Sequence, residues 1–79
     1  MRLPRSVSGQ RLIDHLIRNW DYKRVNQVGS HVILVTETPT HHRLPIPLHS
    51  SLAIGIFKKI LSEVCTAKNI SQADLLRDL

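Results

Sequence analysis

The stretch His31-Val32-Ile33-Leu34-Val35-Thr36-Glu37-Thr38 decides the fold of this 79-residue chain. Its apolar run is mostly β-branched and predicts a central strand with both faces covered. The loosely alternating residues Asp21–Val28 predict a strand before it, and Arg43–Leu48 predict a third strand after it. Pro45 and Pro47 cannot donate ladder hydrogen bonds, so we expect the third strand to lie at an edge of the sheet.

A first helix is predicted ahead of the strands, over Gly9–Asn19, with Ser8 as its N-cap. Apolar side chains recur at three- and four-residue spacing and define one buried face: Leu12, Ile13, Leu16, Ile17 and Trp20. His15 is assigned to the opposite, solvated face. Residues 1–7 are predicted to form a loose leader before the helix.

Two more helices are predicted after the strands. The second covers Leu52–Ala67, with Ser50 or Ser51 as its cap, and its main apolar stripe is spaced by four residues: Ile56, Ile60 and Val64. The segment Ser71-Gln72-Ala73-Asp74 resembles a capping box and predicts a short last helix. The predicted order of elements is therefore α-β-β-β-α-α.

Charge narrows the class of protein. Eleven Lys and Arg against six Asp and Glu give a formal net charge of +5, which favours a polyanion or an acidic protein as partner. A basic chain with this element order is typical of the α+β fold of double-stranded-RNA-binding domains. In that fold the helices cover one face of a three-stranded antiparallel sheet. We expect residues 1–79 to form a single domain of this kind.

Other classes of protein are disfavoured by composition. The one cysteine, Cys65, cannot form an internal disulfide and is predicted to be a small core residue. No apolar run approaches the ~20 residues that span a bilayer, and the basic start of the chain leads into polar residues rather than a signal sequence. The expected location is the cytoplasm.

The turn between the first two predicted strands, Gly29-Ser30-His31, carries the best candidate chemistry. Gly29 permits positive φ, and the amides of Gly29 and Ser30 with the Ser30 hydroxyl can donate to a phosphate. The imidazole of His31 can take and give a proton near neutral pH. RNA supplies its own nucleophile, the 2′-hydroxyl, so one positioned acid or base suffices without a metal or other cofactor.

Basic residues on the neighbouring elements are predicted to bind the RNA backbone together with the turn: Lys23, Arg24, Arg43, Lys58 and Lys59. The remaining histidines around the third strand are assigned to solvated turns rather than to a metal site. His41 and His42 are adjacent and point to opposite faces of an extended segment, and neither they nor His49 has a cysteine or carboxylate at ligand spacing.

Several segments together resemble the HicA (YcfA-like) family of mRNA interferase toxins from type II toxin–antitoxin systems. Val7-Ser8-Gly9-Gln10-Arg11-Leu12-Ile13 is similar to the family's first helix start. Gln27-Val28-Gly29-Ser30-His31 resembles its Q-x-G-S-H segment, which is the most specific match. Leu44-Pro45-Ile46-Pro47-Leu48-His49 resembles its V-P-x-H strand, and the last two helices resemble its closing segments.

The resemblance implies a double-stranded-RNA-binding-like fold and ribosome-independent cleavage of mRNA, with His31 as the catalytic residue. It also implies inhibition by an acidic HicB-type antitoxin, through which a larger complex would bind operator DNA. The chain departs from the family pattern in Ala53–Phe57 before the second helix, in the insertion-like segment Cys65–Asn69, and at two single positions. Asn26 stands where an arginine is common, and Val32 replaces a frequent second histidine.

Two other functions fit the same residues. A non-catalytic module that binds RNA or an antitoxin would need the fold and the charge but not the proton chemistry of His31. A domain that binds only an acidic protein would need the charge alone.

Overall fold

The computed structural model describes residues 6–77 and residue 79. Six elements follow in the predicted order: α1 (Gly9–Asn19), β1 (Lys23–Val28), β2 (His31–Thr36), β3 (His42–Pro47), α2 (Ile54–Lys68) and α3 (Gln72–Leu76). The α+β class and the α-β-β-β-α-α order are therefore confirmed. None of the helices in the described part of the chain is long and apolar enough to cross a membrane.

The sheet is antiparallel with the strand order β1-β2-β3, so β2 is central and β3 lies at an edge, as predicted. The backbone explains why β3 tolerates two prolines. The Leu48 amide donates to the Ser30 carbonyl at 2.7 Å, so alternate amides of β3 face β2. The nitrogens of Pro45 and Pro47 then point away from β2, where no ladder hydrogen bond is lost.

One face of the sheet packs against the helices. Val32 and Leu34 of β2 belong to one buried cluster with side chains from β3 and all three helices: Leu44, Ile46, Leu12, Ile13, Leu16, Phe57, Ile60, Leu61, Val64 and Leu75. Ile33 points to the opposite face, because successive side chains alternate along a strand. It is nevertheless only 4% exposed, so both faces of β2 carry a buried side chain.

Strand β1 is the least covered element. It begins two residues later than predicted, and all six of its residues are exposed. Its pairing with β2 shifts between Arg24 and Asn26, which leaves Val25 as the extra residue of a bulge. Val25 and Val28 are more than half exposed, so this edge of the sheet is open while the β3 edge carries prolines.

The start of α1 agrees with the prediction. The Ser8 hydroxyl accepts a hydrogen bond from the Arg11 amide at 3.0 Å, which is the expected cap. Residues 1–5 of the predicted leader lie outside the described residues. Val7, its last residue, is packed rather than loose, since it is buried in the core and its carbonyl accepts from the Leu52 amide at 2.8 Å.

The assignment of His15 to the solvated face is wrong. His15 is 4% exposed, and its Nε2 lies 2.6 Å from the Leu75 carbonyl, which can only accept. Nε2 therefore carries the proton, and Nδ1 accepts from the side-chain amide of Asn19 at 3.1 Å. The apolar periodicity of α1 did not reveal that α3 would cover this side of the helix. Ile17, predicted to be buried, is 40% exposed.

The start of α2 was also predicted wrongly. The helix begins at Ile54, with Ala53 as an N-cap that forms no side-chain hydrogen bond. Neither Ser50 nor Ser51 is the cap, because the amide of Leu52 is engaged by the N-terminal segment and holds the chain extended for two more residues. α2 ends at Lys68, one residue past the predicted Ala67. β2 ends at Thr36, two residues before the predicted Thr38, and β3 starts and ends one residue earlier than predicted. Asn69 ends α2 in the left-handed conformation, and Ser71 caps α3 by accepting from the Asp74 amide.

Candidate functional site

The Gly29-Ser30 turn connects β1 to β2 as predicted. Gly29 has a φ of 59°, which disfavours any residue with a side chain. A Cβ added there would meet no atom within 4 Å, so glycine is required by the backbone conformation and not by crowding. Both residues of the turn are exposed.

His31 begins β2 directly after this turn and is exposed. Its cross-strand partners are Val28 on β1 and Pro47 on β3, so the three share one row on the face that does not carry the core. The hydrogen bonds among the described residues include none to the His31 side chain. Its imidazole is therefore free to meet a ligand.

The backbone around His31 is held firmly although its side chain is free. Gly9 packs so closely on the end of β3 that a Cβ would collide with the Pro47 carbonyl. The Gly9 amide also donates to the His49 carbonyl at 2.9 Å. Together with the bond from Leu48 to Ser30, these contacts fix the position from which His31 projects.

A groove of about 340 Å³ lies between β3 and α2 and contains His31. Arg43 of β3 and Lys59 of α2 line the same groove. The other lining residues are His42, Pro45, Pro47, Ile56, Ile60 and Glu63. The groove therefore contains two imidazoles, those of His31 and His42, and two positively charged side chains, and Glu63 is the one acid among the residues that line it.

The other predicted phosphate-binding residues lie elsewhere. Lys23 lines a separate groove at the far end of β1, and Arg24 donates to the Gln27 side chain at 2.6 Å. Lys58 is exposed on α2 but does not line the groove. Gly29 and Ser30 adjoin His31 in sequence and also lie outside the groove lining. Only Arg43 and Lys59, of the basic residues predicted to accompany His31, share its groove.

The opposite end of the sheet carries a cluster of polar contacts that we call the Tyr22–Lys68 cluster; it comprises Tyr22, Thr36, Thr38, His42 and Lys68. The Tyr22 hydroxyl lies 2.8 Å from Nδ1 of His42, and the two rings meet edge to face. The Lys68 ammonium sits 5.0 Å from the centre of the Tyr22 ring. It donates to the Thr36 hydroxyl at 2.7 Å and to the Thr38 carbonyl at 2.6 Å.

Burial changes the titration of this cluster. Desolvation, helped by the negative charge of Glu63, raises the pKa of Tyr22 to about 12. Desolvation lowers the pKa of Lys68, and the nearby carboxylate of Asp21 opposes that shift. The Tyr22 hydroxyl is therefore protonated throughout the physiological range and acts as a hydrogen-bond donor.

The three histidines near β3 have different surroundings. His41 contacts the Glu37 carboxylate at 3.0 Å and is exposed, as is His49. The assignment of His42 to a solvated turn is wrong, since His42 begins β3 and is half-buried beside Tyr22. Within the described residues no group of three or more His, Cys, Asp or Glu side chains is arranged to hold a metal ion.

The sequence did not assign Glu63 or His42 to the site, although both line the groove. Lys59 and Glu63 are four positions apart on α2 and therefore share a helix face, a signal that was available. Ile56 was predicted to lie in the core stripe of α2 but is 38% exposed and lines the groove. The role of His42 was hidden because it depends on Tyr22, which lies twenty positions earlier in the chain.

No family model, curated protein or solved structure matches this chain.

Proposed function

We propose that this protein is a metal-independent endoribonuclease that cleaves mRNA in the cytoplasm. We further propose that it belongs with the HicA-type toxins and that its α+β fold is of the double-stranded-RNA-binding-domain type. The observation that carries the proposal is the groove that His31 shares with Arg43 and Lys59. A proton-exchanging group beside two fixed cations is what cleavage of a phosphodiester requires.

The chemistry follows from RNA's own 2′-hydroxyl. His31 takes the proton from this oxygen, which attacks the adjacent phosphorus while the 5′-oxygen of the next nucleotide leaves. The proton that His31 has taken then passes to the departing 5′-oxygen, so the products are a 2′,3′-cyclic phosphate and a 5′-hydroxyl, and no external reactant is needed. Lys59 neutralises the charge that builds up on the oxygens of this phosphate, and Arg43, four residues along β3 from the cross-strand partner of His31, binds the strand farther along the groove. A positioned base of this kind contributes about 10² to 10⁴-fold to the rate.

An acidic antitoxin is the proposed protein partner. The net charge of +5 favours an acidic surface, and the exposed turn at His31 can be covered directly. The exposed Val25 and Val28 on the neighbouring strand add apolar surface that such a partner would bury. The partner would then block both the groove entrance and the proton chemistry.

The direct test is RNA cleavage by the purified protein with EDTA present, compared with His31→Ala. The proposal predicts fragments with cyclic-phosphate ends from the wild type and a loss of at least about 100-fold in the variant. His49→Ala is the matched control, because His49 is exposed and lies outside the groove. Equal cleavage by the His31 variant would refute the assignment of His31.

Cleavage that depends on an added metal would refute the metal-independent mechanism. Salt-dependent RNA binding with no cleavage at any enzyme concentration would instead identify a non-catalytic RNA-binding module. No binding to RNA at low salt would leave an acidic protein as the partner.

A further inference from the structure

His42 stands at the opposite end of β3 from the row that contains His31, yet both side chains line the same groove. His42 and Pro47 are the terminal residues of β3, and Pro47 is the cross-strand partner of His31. At ~3.3 Å per residue their backbones are about 16 Å apart. That separation is too large for the two imidazoles to act on one phosphate.

The hydrogen bond from Tyr22 fixes how His42 can act. The Tyr22 side chain is 1% exposed, and its hydroxyl proton must go to a hydrogen-bond acceptor. Nδ1 of His42, at 2.8 Å, is the acceptor it has among the described residues. Neutral His42 therefore carries its own proton on Nε2, and protonated His42 carries one there as well. In either charge state Nε2 is a donor.

The two histidines of the groove therefore differ in chemistry. The side chain of His31 has no hydrogen bond to another described residue and is free to exchange a proton. His42 is held by a buried phenol as a fixed N–H donor, which suits binding of a phosphate oxygen. Arg43 projects from the other face of β3 but lines the same groove, so a strand that passes His42 also passes a full positive charge.

We propose that the groove between β3 and α2 binds one RNA strand along its length, with His42 as the contact for a phosphate remote from the cleaved bond. This inference rests on the proposed ribonuclease function. His42 is thus a substrate-positioning residue, and Tyr22 acts through it.

Glu63 favours binding of a nucleic acid strand over binding of a free phosphate in this groove. Its carboxylate lines the groove together with His42 and cannot itself bind an anion. It can accept hydrogen bonds from a ribose 2′-hydroxyl or an exocyclic amino group. An RNA strand offers both kinds of group between its phosphates, whereas inorganic phosphate does not.

The test compares wild type, His42→Ala and His42→Gln on a dinucleotide and on a ten-nucleotide RNA, with single-turnover rates at increasing enzyme concentration. For the ten-nucleotide RNA we expect His42→Ala to raise the half-saturating concentration about tenfold and to leave the saturating rate unchanged. For the dinucleotide, which is too short to reach His42, we expect no difference. His42→Gln keeps a donor and should recover part of the affinity.

His41→Ala is the matched control, because His41 is the adjacent residue, is exposed and does not line this groove. A lower saturating rate with both substrates would overturn the proposal, since it would place His42 in the chemical step. Equal affinity of His42→Ala and wild type for the longer RNA would also overturn it.

If the wild type cleaves neither RNA, the proposed function fails first. The same variants are then compared for binding of the uncleaved ten-nucleotide RNA. Weaker RNA binding by His42→Ala than by His41→Ala still supports the proposed phosphate contact at His42. Equal RNA binding by the two variants overturns it.

Discussion

The two ends of the sheet are held in different ways. At the Tyr22–Lys68 cluster, side chains make the contacts: a phenol to an imidazole, and an ammonium to a hydroxyl, a carbonyl and a ring face. At the His31 end the backbone makes them, through Gly9 against Pro47 and the bond from Leu48 to Ser30. Anchoring by the backbone leaves side chains free, so the His31 end can carry chemistry and the other end supplies rigidity.

The largest effect is expected at Gly9, where the backbone anchor can be broken directly. Glycine to alanine inside a helix normally stabilises it by ~0.5–1 kcal/mol. At Gly9 the sign should reverse, because the new Cβ would collide with the Pro47 carbonyl and push α1 away from β3. We expect Gly9→Ala to lower the free energy of unfolding by about 3 kcal/mol in urea denaturation.

Gly55→Ala is the matched control for this change. Gly55 also lies in a helix, but a Cβ there would meet no atom within 4 Å. It should raise the free energy of unfolding by ~0.5–1 kcal/mol. Stabilisation by both substitutions would show that the close packing of α1 on β3 is not present in solution.

The next largest effect concerns the alkaline limit of stability. Tyr22 has a pKa of about 12 in the folded chain and an ordinary value near 10.0 when unfolded. Between these values the unfolded chain loses the proton and the folded chain keeps it. Stability from this group is therefore complete below pH ~10 and is lost as pH rises towards ~12, by about 2 kcal/mol.

Tyr22 is the only tyrosine in the chain, so tyrosinate absorbance reports its titration directly. Tyr22→Phe should remove this part of the alkaline decline. The lowered pKa of Lys68 has the opposite effect on stability, because the unfolded chain binds more protons at this residue than the folded chain. Lys68 is present in both wild type and Tyr22→Phe. A tyrosinate transition near pH 10 in the native protein would contradict the buried position of Tyr22.

A smaller effect is expected when the ammonium of the cluster is removed. Lys68→Met keeps most of the side-chain volume but removes the short bonds to the Thr36 hydroxyl and the Thr38 carbonyl. Only longer bonds within the Thr36–Thr38 segment, of 3.3 and 3.4 Å, then remain to these two oxygens. We expect a loss of about 1 kcal/mol in the free energy of unfolding. Lys58→Met is the control, because Lys58 is exposed on the same helix, and it should change stability by less than ~0.5 kcal/mol. Equal effects would show that the Lys68 contacts contribute no net stability.

The smallest effect on stability is expected at the exposed His31 end. Ser30→Ala and His31→Ala remove exposed side chains that make no hydrogen bonds among the described residues. Each should change the free energy of unfolding by less than ~0.5 kcal/mol. A loss larger than about 1 kcal/mol from either substitution would mean that this end is held by its side chains after all.

Local signals predicted most of the fold. The capping residues Ser8 and Ser71 predicted where their helices begin, because each hydroxyl accepts a hydrogen bond from a backbone amide in the first turn of its own helix. The β-branched run predicted β2, and the two prolines predicted an edge strand. The failures share one cause, which is contact between distant segments. Val7 engages Leu52 and moves the start of α2, and α3 covers His15.

The candidate site also contains residues that local sequence predicts and residues that only contacts between distant segments reveal. Gly29, Ser30 and His31 were found from the sequence because they are consecutive and the turn itself requires glycine. Arg43 and Lys59 were predicted from their charge. The same criterion also selected three basic residues that do not line the groove in the folded chain: Lys23, Arg24 and Lys58. The contribution of His42 depends on a hydrogen bond from Tyr22 and could be recognised only in three dimensions.

The most direct test of the account is RNA cleavage by the wild type and by His31→Ala in EDTA, with unfolding free energies measured on the same preparations. The account predicts that cyclic-phosphate fragments fall by at least about 100-fold in the variant while its stability stays within ~0.5 kcal/mol of the wild type. Undiminished cleavage by a stably folded His31→Ala protein would contradict it.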